Sequence, residues 1–188
     1  MMNRDKRMML GWMVGWPWLE GCTGVQGAAN GAVPWRRCKG VGVVLVCDAV
    51  AGVELKGVEI FDDRTSLIYA KSTLSKRTRE IMALGGARVP LSVRVVWRRT
   101  DVPIAGLDIY GKYNSFTYAG NLIGDYTLPV AQRIPDGVLQ EIRARGGALR
   151  LKFRLKTDGV LFGWDIERYV GRSFEPLMPG GDFLEMKY

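Results

Sequence analysis

Residues 149–167 read LRLKFRLK-TDG-VLFGWDIE, and the reading of this stretch decides the fold. Apolar and cationic residues alternate without a break from Leu149 to Lys156. A period of two fits a half-buried β-strand and no helix. Thr157-Asp158-Gly159 follows, and a second alternating run starts at Val160. Asp-Gly between two such runs is the strongest short hairpin signal, because a type I′ turn needs φ > 0 at both central residues. With Asp158-Gly159 as the loop, Thr157 faces Val160 and the register follows by counting. Leu155 then faces Phe162, Phe153 faces Trp164 and Leu151 faces Ile166 on one side. On the other side Lys152 faces Asp165 and Arg150 faces Glu167. Each such pair contributes roughly 0.2–1 kcal/mol. The cationic row is thus expected to be the wet face of its own hairpin. Arg154, opposite Gly163, and Lys156, opposite Leu161, lack a carboxylate in this register and are the cations left to meet a partner. A nucleic-acid surface would interleave unpaired cations with aromatics. Here the aromatics lie on the opposite side, so nucleic acid is not an expected partner.

Upstream, the same period recurs. Strands are expected over 53–61, with a change of phase around Val58, and over 66–71 and 91–97. Weaker strands are expected at 113–119 and 125–131, where Pro129 places the last at a sheet edge. Asp62-Asp63 reads as turn material. A helix is expected over 134–147. Asp136 opens it, Val138, Leu139 and Ile142 form its apolar stripe, Arg143 and Arg145 sit near its end, and Gly146 stops it. A second short helix is expected over 75–84, and an irregular tail from Arg172 to Tyr188. About seven strands with turn signals between them predict a mainly β domain, a two-layer antiparallel β-sandwich with one or two short helices, over residues 52–188.

The chain has 188 residues and a net charge of +8, which weakly favours acidic partners or surfaces. It has no histidine, which removes the commonest general base and the commonest metal ligand together. No serine sits in a G-x-S-x-G elbow, no thiol has a histidine partner, and no glycine-rich phosphate loop lies between a strand and a helix. The sequence predicts no enzyme, no cofactor and no metal site.

Residues 1–51 read as an export leader. A basic start at 3–7 and an apolar run at 8–19 end in Leu19-Glu20-Gly21-Cys22, a lipoprotein-type ending in which Cys22 carries the lipid. A second basic start at 36–39 and an apolar run end in Ala49-Val50-Ala51, the small-x-small pattern of a cleavage site after Ala51. The other reading of Val41–Val46 is a buried strand. Both leaders point to the periplasm, with outer-membrane anchoring if Cys22 is lipidated. Cys38 and Cys47 lie too far apart along an extended segment for the α-carbon separation of about 7 Å that a disulfide allows.

Residues 107–121, LDIYGKYNSFTYAGN, mix aromatics with Gly, Ser and Asn. Tyrosine offers large contact area at low entropy cost while Ser, Gly and Asn adapt. Tyr110, Tyr113, Phe116 and Tyr118 are therefore candidate partner-binding residues, with Arg154 and Lys156. The other reading is a hairpin whose aromatics cover the core. The segments GVEIFDDRTSLIY (57–69), VPLSVRVVWR (89–98) and GNLIGDYTLPVAQRIPDGVLQEIRARGGALRLKFRLKTDGVLFGWDIE (120–167) resemble a family of small proteobacterial lipoproteins. Its members are encoded beside type VI secretion lipase effectors, for which they look like the immunity proteins. Val53 stands where that family's lipobox would place a cysteine. The resemblance implies protective binding, with a secreted phospholipase or lipase as partner. The other class the sequence allows is an envelope lipoprotein that binds a resident periplasmic partner.

Overall fold

The computed structural model describes residues 40–76, 80–84, 89–107, 113–171 and 173–184. Among the described residues, eleven strands and one α-helix, preceded by a 3-10 turn at Ala131–Arg133, follow in order: β1 Gly42–Ala49, β2 Glu54–Asp62, β3 Leu67–Ser75, β4 Glu80–Leu84, β5 Ser92–Arg98, β6 Pro103–Leu107, β7 Tyr113–Tyr118, β8 Leu122–Pro129, α1 Asp136–Arg145, β9 Ala148–Lys156, β10 Gly159–Val170 and β11 Ser173–Gly181. They form a five-stranded sheet in the order β11-β10-β9-β1-β4, a four-stranded sheet in the order β3-β2-β5-β8, and the β6–β7 hairpin. The two larger sheets face each other across one core. Leu45 and Cys47 of β1, Leu151 and Phe153 of β9 and Phe162 of β10 meet Ile60 of β2, Leu74 of β3 and Val95 and Trp97 of β5. The two-layer β-sandwich expected from the alternation is the observed architecture. One pair departs from the antiparallel rule, since β1 runs parallel to β9.

The deciding hairpin forms, with its faces as counted but its register displaced by two residues. Gly159 pairs with Lys156, Phe162 with Phe153, Trp164 with Leu151, and Asp165 with Arg150. Thr157 and Asp158 are the turn residues, and none of Thr157, Asp158 or Gly159 has a positive φ, so this is not the type I′ turn that Asp-Gly suggested. A slip of two keeps every side chain on its own face, because strand side chains repeat every second residue. Alternation therefore fixes the face and leaves the absolute register open. Phe153, Phe162 and Trp164 still meet, with ring centroids 5.2 and 5.8 Å apart.

The cationic face, expected to be wet, is internal. Arg150, Lys152 and Arg154 are 5%, 1% and 8% exposed. Strand β9 has a neighbour on both sides, and every charge on its outer row has a counter-charge. Arg150 donates from Nε and Nη2 to the two oxygens of Asp165 at 2.6 and 2.9 Å. Lys152 Nζ lies 3.0 Å from Asp165 Oδ2, an ion pair without hydrogen-bond geometry. Arg150 also reaches Glu167 at 3.6 Å. Arg154, expected to lack a carboxylate, forks onto Asp48 of β1 at 2.8 and 2.7 Å. Lys156, also expected to lack one, lies 3.2 Å from Asp158. The Phe183 ring closes over the row, 5.1 Å from Lys152 Nζ and 4.6 Å from Arg154 Cζ.

Three further expectations are corrected. Residues 42–49, read as part of a leader, form β1 between β9 and β4, with Leu45, Cys47 and Ala49 fully buried. The boundary drawn at residue 51 falls after this strand, and the buried-strand reading of Val41–Val46 is the one realised. Residues 80–84, expected in a helix over 75–84, form β4 and pair antiparallel with β1 from Val43↔Leu84 to Cys47↔Glu80. The unfilled edge of β1 outweighs the weak helical tendency of that short run. The tail, expected to be irregular, contributes β11. Its Pro176 and Pro179 are tolerated because β11 is an edge strand, and its left-handed Met178 (φ 48°) marks the irregularity opposite Asp165. Gly180 leaves the space that the Trp164 ring fills.

Helix α1 matches its expectation closely. Val138, Leu139 and Ile142 are buried, and Gly146 ends it at φ 78° with its N–H on the Ile142 carbonyl at 2.8 Å. The cap position is Pro135, one residue before Asp136, which sits in the first turn. Asp62 makes the expected turn, accepting the amides of Arg64 and Ser66 at 2.9 and 2.8 Å.

After β11, Asp182 fastens the chain back to the sandwich. It accepts Arg133 Nη2 at 2.6 Å and the Phe162 amide at 2.9 Å. The Arg133 hydrogen bond, opposed by burial and helped by the Phe162 amide, holds its carboxyl below the usual carboxylate range. A depressed folded-state pKa adds stability above the unfolded value of about 3.9, and that stability is lost as pH falls through the folded value. Asp182→Asn is therefore expected to lower the urea midpoint at pH 7, by the equivalent of up to about 1 kcal/mol after solvent screening. The two proteins are expected to converge once Asp182 is protonated. A difference that stays constant into strong acid would remove the ionic explanation.

Candidate partner-binding surface

Strand β7 of the β6–β7 hairpin lies against β2 and β3, and its Tyr118 amide reaches Glu59, a β2 residue outside the hydrophobic core. The sequence of β2 makes the seat. Its phase changes between Lys56 and Glu59, where the ladder to β5 shifts, as the pattern around Val58 suggested. Gly57 adopts φ +54°, and a Cβ there would lie 2.7 Å from the Thr100 carbonyl oxygen. Glycine is needed both for the left-handed turn and for this close approach.

The shift also turns Glu59 away from the core while leaving it fully buried. Glu59 accepts from Arg98 and from the Tyr118 amide, the latter at 3.3 Å. A buried carboxylate with a guanidinium and a backbone N–H fixes the end of β7 on the sheet. Beside it, the Ala119 amide donates to the Val102 carbonyl at 2.8 Å, Thr100 Oγ1 to the Ala119 carbonyl at 2.8 Å, and the Arg99 amide to the Asn121 carbonyl at 3.1 Å. The segments 98–104 and 117–123 are thereby held side by side.

These segments carry the most concentrated apolar exposure of the described residues. Val102, Ile104, Leu122 and Ile123 are 57%, 51%, 43% and 53% exposed. Four aliphatics held by an ordered backbone make a preformed apolar contact patch. Sequence reasoning missed them, since it weighted aromatics and Val102 and Ile104 flank Pro103 outside any strong alternation.

The residues proposed from sequence are dispersed. Tyr118 is buried, 8% exposed, with its Cβ against Gly57. Tyr113 and Phe116 belong to β7, with side chains outside the described residues, as is Tyr110 altogether. Arg154 is committed to Asp48 inside the five-stranded sheet, and Lys156 lies at the far hairpin turn beside Asp158. The structure does not bring Arg154 and Lys156 to the β6–β7 surface. Cys22 and Cys38 lie outside the described residues; Cys47 is buried in the core. Among the described residues, no group of three or more Cys, Asp or Glu could hold a metal ion, and no helix is long and apolar enough to cross a membrane. In comparisons with known proteins, no family model, no curated protein and no solved structure matches the chain.

Proposed function

We propose that this protein is a periplasmic immunity protein that binds a type VI secretion phospholipase or lipase and blocks the mouth of its active site. The observation that carries the reading is the exposed aliphatic pair Val102 and Ile104, presented at a hairpin whose Tyr118 amide donates to the buried Glu59 carboxylate of the sandwich. A lipase must expose apolar surface around its substrate entrance, and a rigid apolar apron matches such a surface at low entropic cost. The resembling segments 57–69, 89–98 and 120–167 supply most of β2, β5, β8, α1, β9 and most of β10, which form the scaffold of that apron.

Of the two leaders, we propose that the one ending at Cys22 is used. A lipid on Cys22 leaves β1 in the folded protein and holds the inhibitor at the membrane its target attacks. Cleavage after Ala51 would remove β1.

The test is phospholipid hydrolysis by the lipase encoded beside this protein. An equimolar amount of the full chain is expected to abolish hydrolysis. Val102→Asp with Ile104→Asp is expected to weaken inhibition by about thirtyfold or more, the scale of a lost interface hot spot. Lipase turnover unaltered by excess protein would refute the reading.

A further inference from the structure

Strand β8 is the outer strand of the four-stranded sheet, and among the described residues no strand is hydrogen-bonded along its free side. The Val130 amide donates to the Leu91 carbonyl on the β5 side at 2.9 Å. Antiparallel ladders alternate, so the amides of Leu128, Tyr126 and Gly124 also turn toward β5, and those of Thr127 and Asp125 turn outward. Pro129 falls on the outward side, where its missing N–H breaks no internal bond. Among the described residues, these outward groups have no backbone partner. The edge of the other sheet at β11 is broken by Pro176, Pro179 and the left-handed Met178, devices that discourage strand pairing. Strand β8 bulges at Ile123, where its register to β5 shifts, but from Gly124 to Leu128 its ladder is regular, and its outward Ile123, Asp125, Thr127 and Pro129 are exposed.

The two ends of β8 complement each other. Ile123 protrudes at one end, 53% exposed. At the other end lies an open, mainly apolar groove of about 380 Å³ lined by Leu91, Ser92, Thr127, Pro129 and Gln132. An antiparallel copy of β8 placed about a twofold axis at Tyr126 sets Ile123 against Pro129 and this groove, and Asp125 against Thr127. Tyr126 at the axis is already ordered, stacked on Trp97 with ring centroids 5.2 Å apart. The charge of Asp125 is already answered by the Arg94 fork at 2.8 and 2.6 Å, so no unpaired carboxylate enters the seam.

We infer that β8 is the edge through which two copies of this chain pair, antiparallel, into one continuous sheet. The outward Asp125 and Thr127 groups bond across the axis, and each Ile123 enters the other copy's groove. The contact is isologous and closes on itself, as a twofold pairing must. It takes Ile123 from the exposed aliphatics and leaves Val102 and Ile104 to the partner proposed above; Thr127→Pro, outside those aliphatics, tests the pairing apart from that partner.

Sedimentation velocity of the full chain, from low to tens of micromolar, tests the pairing. The expected result is a monomer–dimer equilibrium. Thr127→Pro removes an outward amide and touches no bond to β5; Ile123→Asp puts a charge in the groove. Both are expected to leave a monomer at every concentration, with an unchanged circular dichroism spectrum. Should either variant misfold, amide exchange of wild-type residues 122–128 gives the second reading, with protection expected to rise with protein concentration. A wild-type chain that stays monomeric throughout the range, or a dimer that survives both substitutions, overturns the inference.

Discussion

A chain beginning at Val53 is expected not to fold, and one beginning at Gly40 is expected to fold cooperatively. Strand β1 lies inside the five-stranded sheet, and Val43, Leu45, Val46, Cys47 and Ala49 are all at least 97% buried. Burying an aliphatic side chain contributes about 1.5–3 kcal/mol, so the loss of this strand is on the order of 10 kcal/mol. That is comparable with the whole stability of a typical domain, about 5–15 kcal/mol. The loss is compounded at Arg154, which would keep its place in β9 without Asp48. Circular dichroism and urea titration of the two chains are the measurements. A cooperative urea transition in the chain from Val53 would show that β1 is dispensable.

The second large effect is expected at Asp165. This fully buried carboxylate answers two cations, accepting the Arg150 fork and lying 3.0 Å from Lys152 Nζ. Asp165→Asn leaves both charges in place, Lys152 without its anion and Arg150 with only Glu167 at 3.6 Å, and breaking a buried pair from one side costs about 3–5 kcal/mol. Removing all the charges together is a different experiment. Arg150→Met, Lys152→Met and Asp165→Leu in one protein discard the desolvation cost along with the attraction. That variant is expected to be markedly more stable than Asp165→Asn alone, because well-packed apolar replacements of buried ion pairs are often neutral or stabilising. Urea midpoints at neutral pH measure both. Equal destabilisation by the single and triple variants would mean that packing, and not charge balance, governs this row.

The ion network also shows which part of the fold was legible in the sequence. Alternation along 149–156 assigned every side chain to its face, and the apolar face is the core, as expected. Solvent exposure of the other face was not legible, because it depends on what flanks β9. Its neighbour β1 comes from a segment more than ninety residues earlier, whose apolar run and small-residue ending also fit a cleavable leader. Asp48, a carboxylate inside that apolar run, is the counter-charge of Arg154. A carboxylate inside an apolar run was the available signal that the run stays in the protein. Helix α1 was readable because its stripe, basic end and terminal glycine all agree locally. Strands β4 and β11 were not, since each exists by pairing with a strand distant in sequence or tolerated only at an edge. For the contact surface, the aromatic stretch 107–121 overlaps the β6–β7 hairpin, but the exposed groups that the structure describes there are the aliphatics beside it.

The central claim is that Gly42–Ala49 is an interior strand of the folded protein, closing the cationic row of β9 from the parallel side. Native-state amide hydrogen exchange of the full chain tests it most directly. The account predicts that the amides of residues 44–48 exchange as slowly as those of residues 149–155, and that both groups open together in a single cooperative unit. Exchange of residues 44–48 within seconds, while 149–155 stay protected, would contradict it.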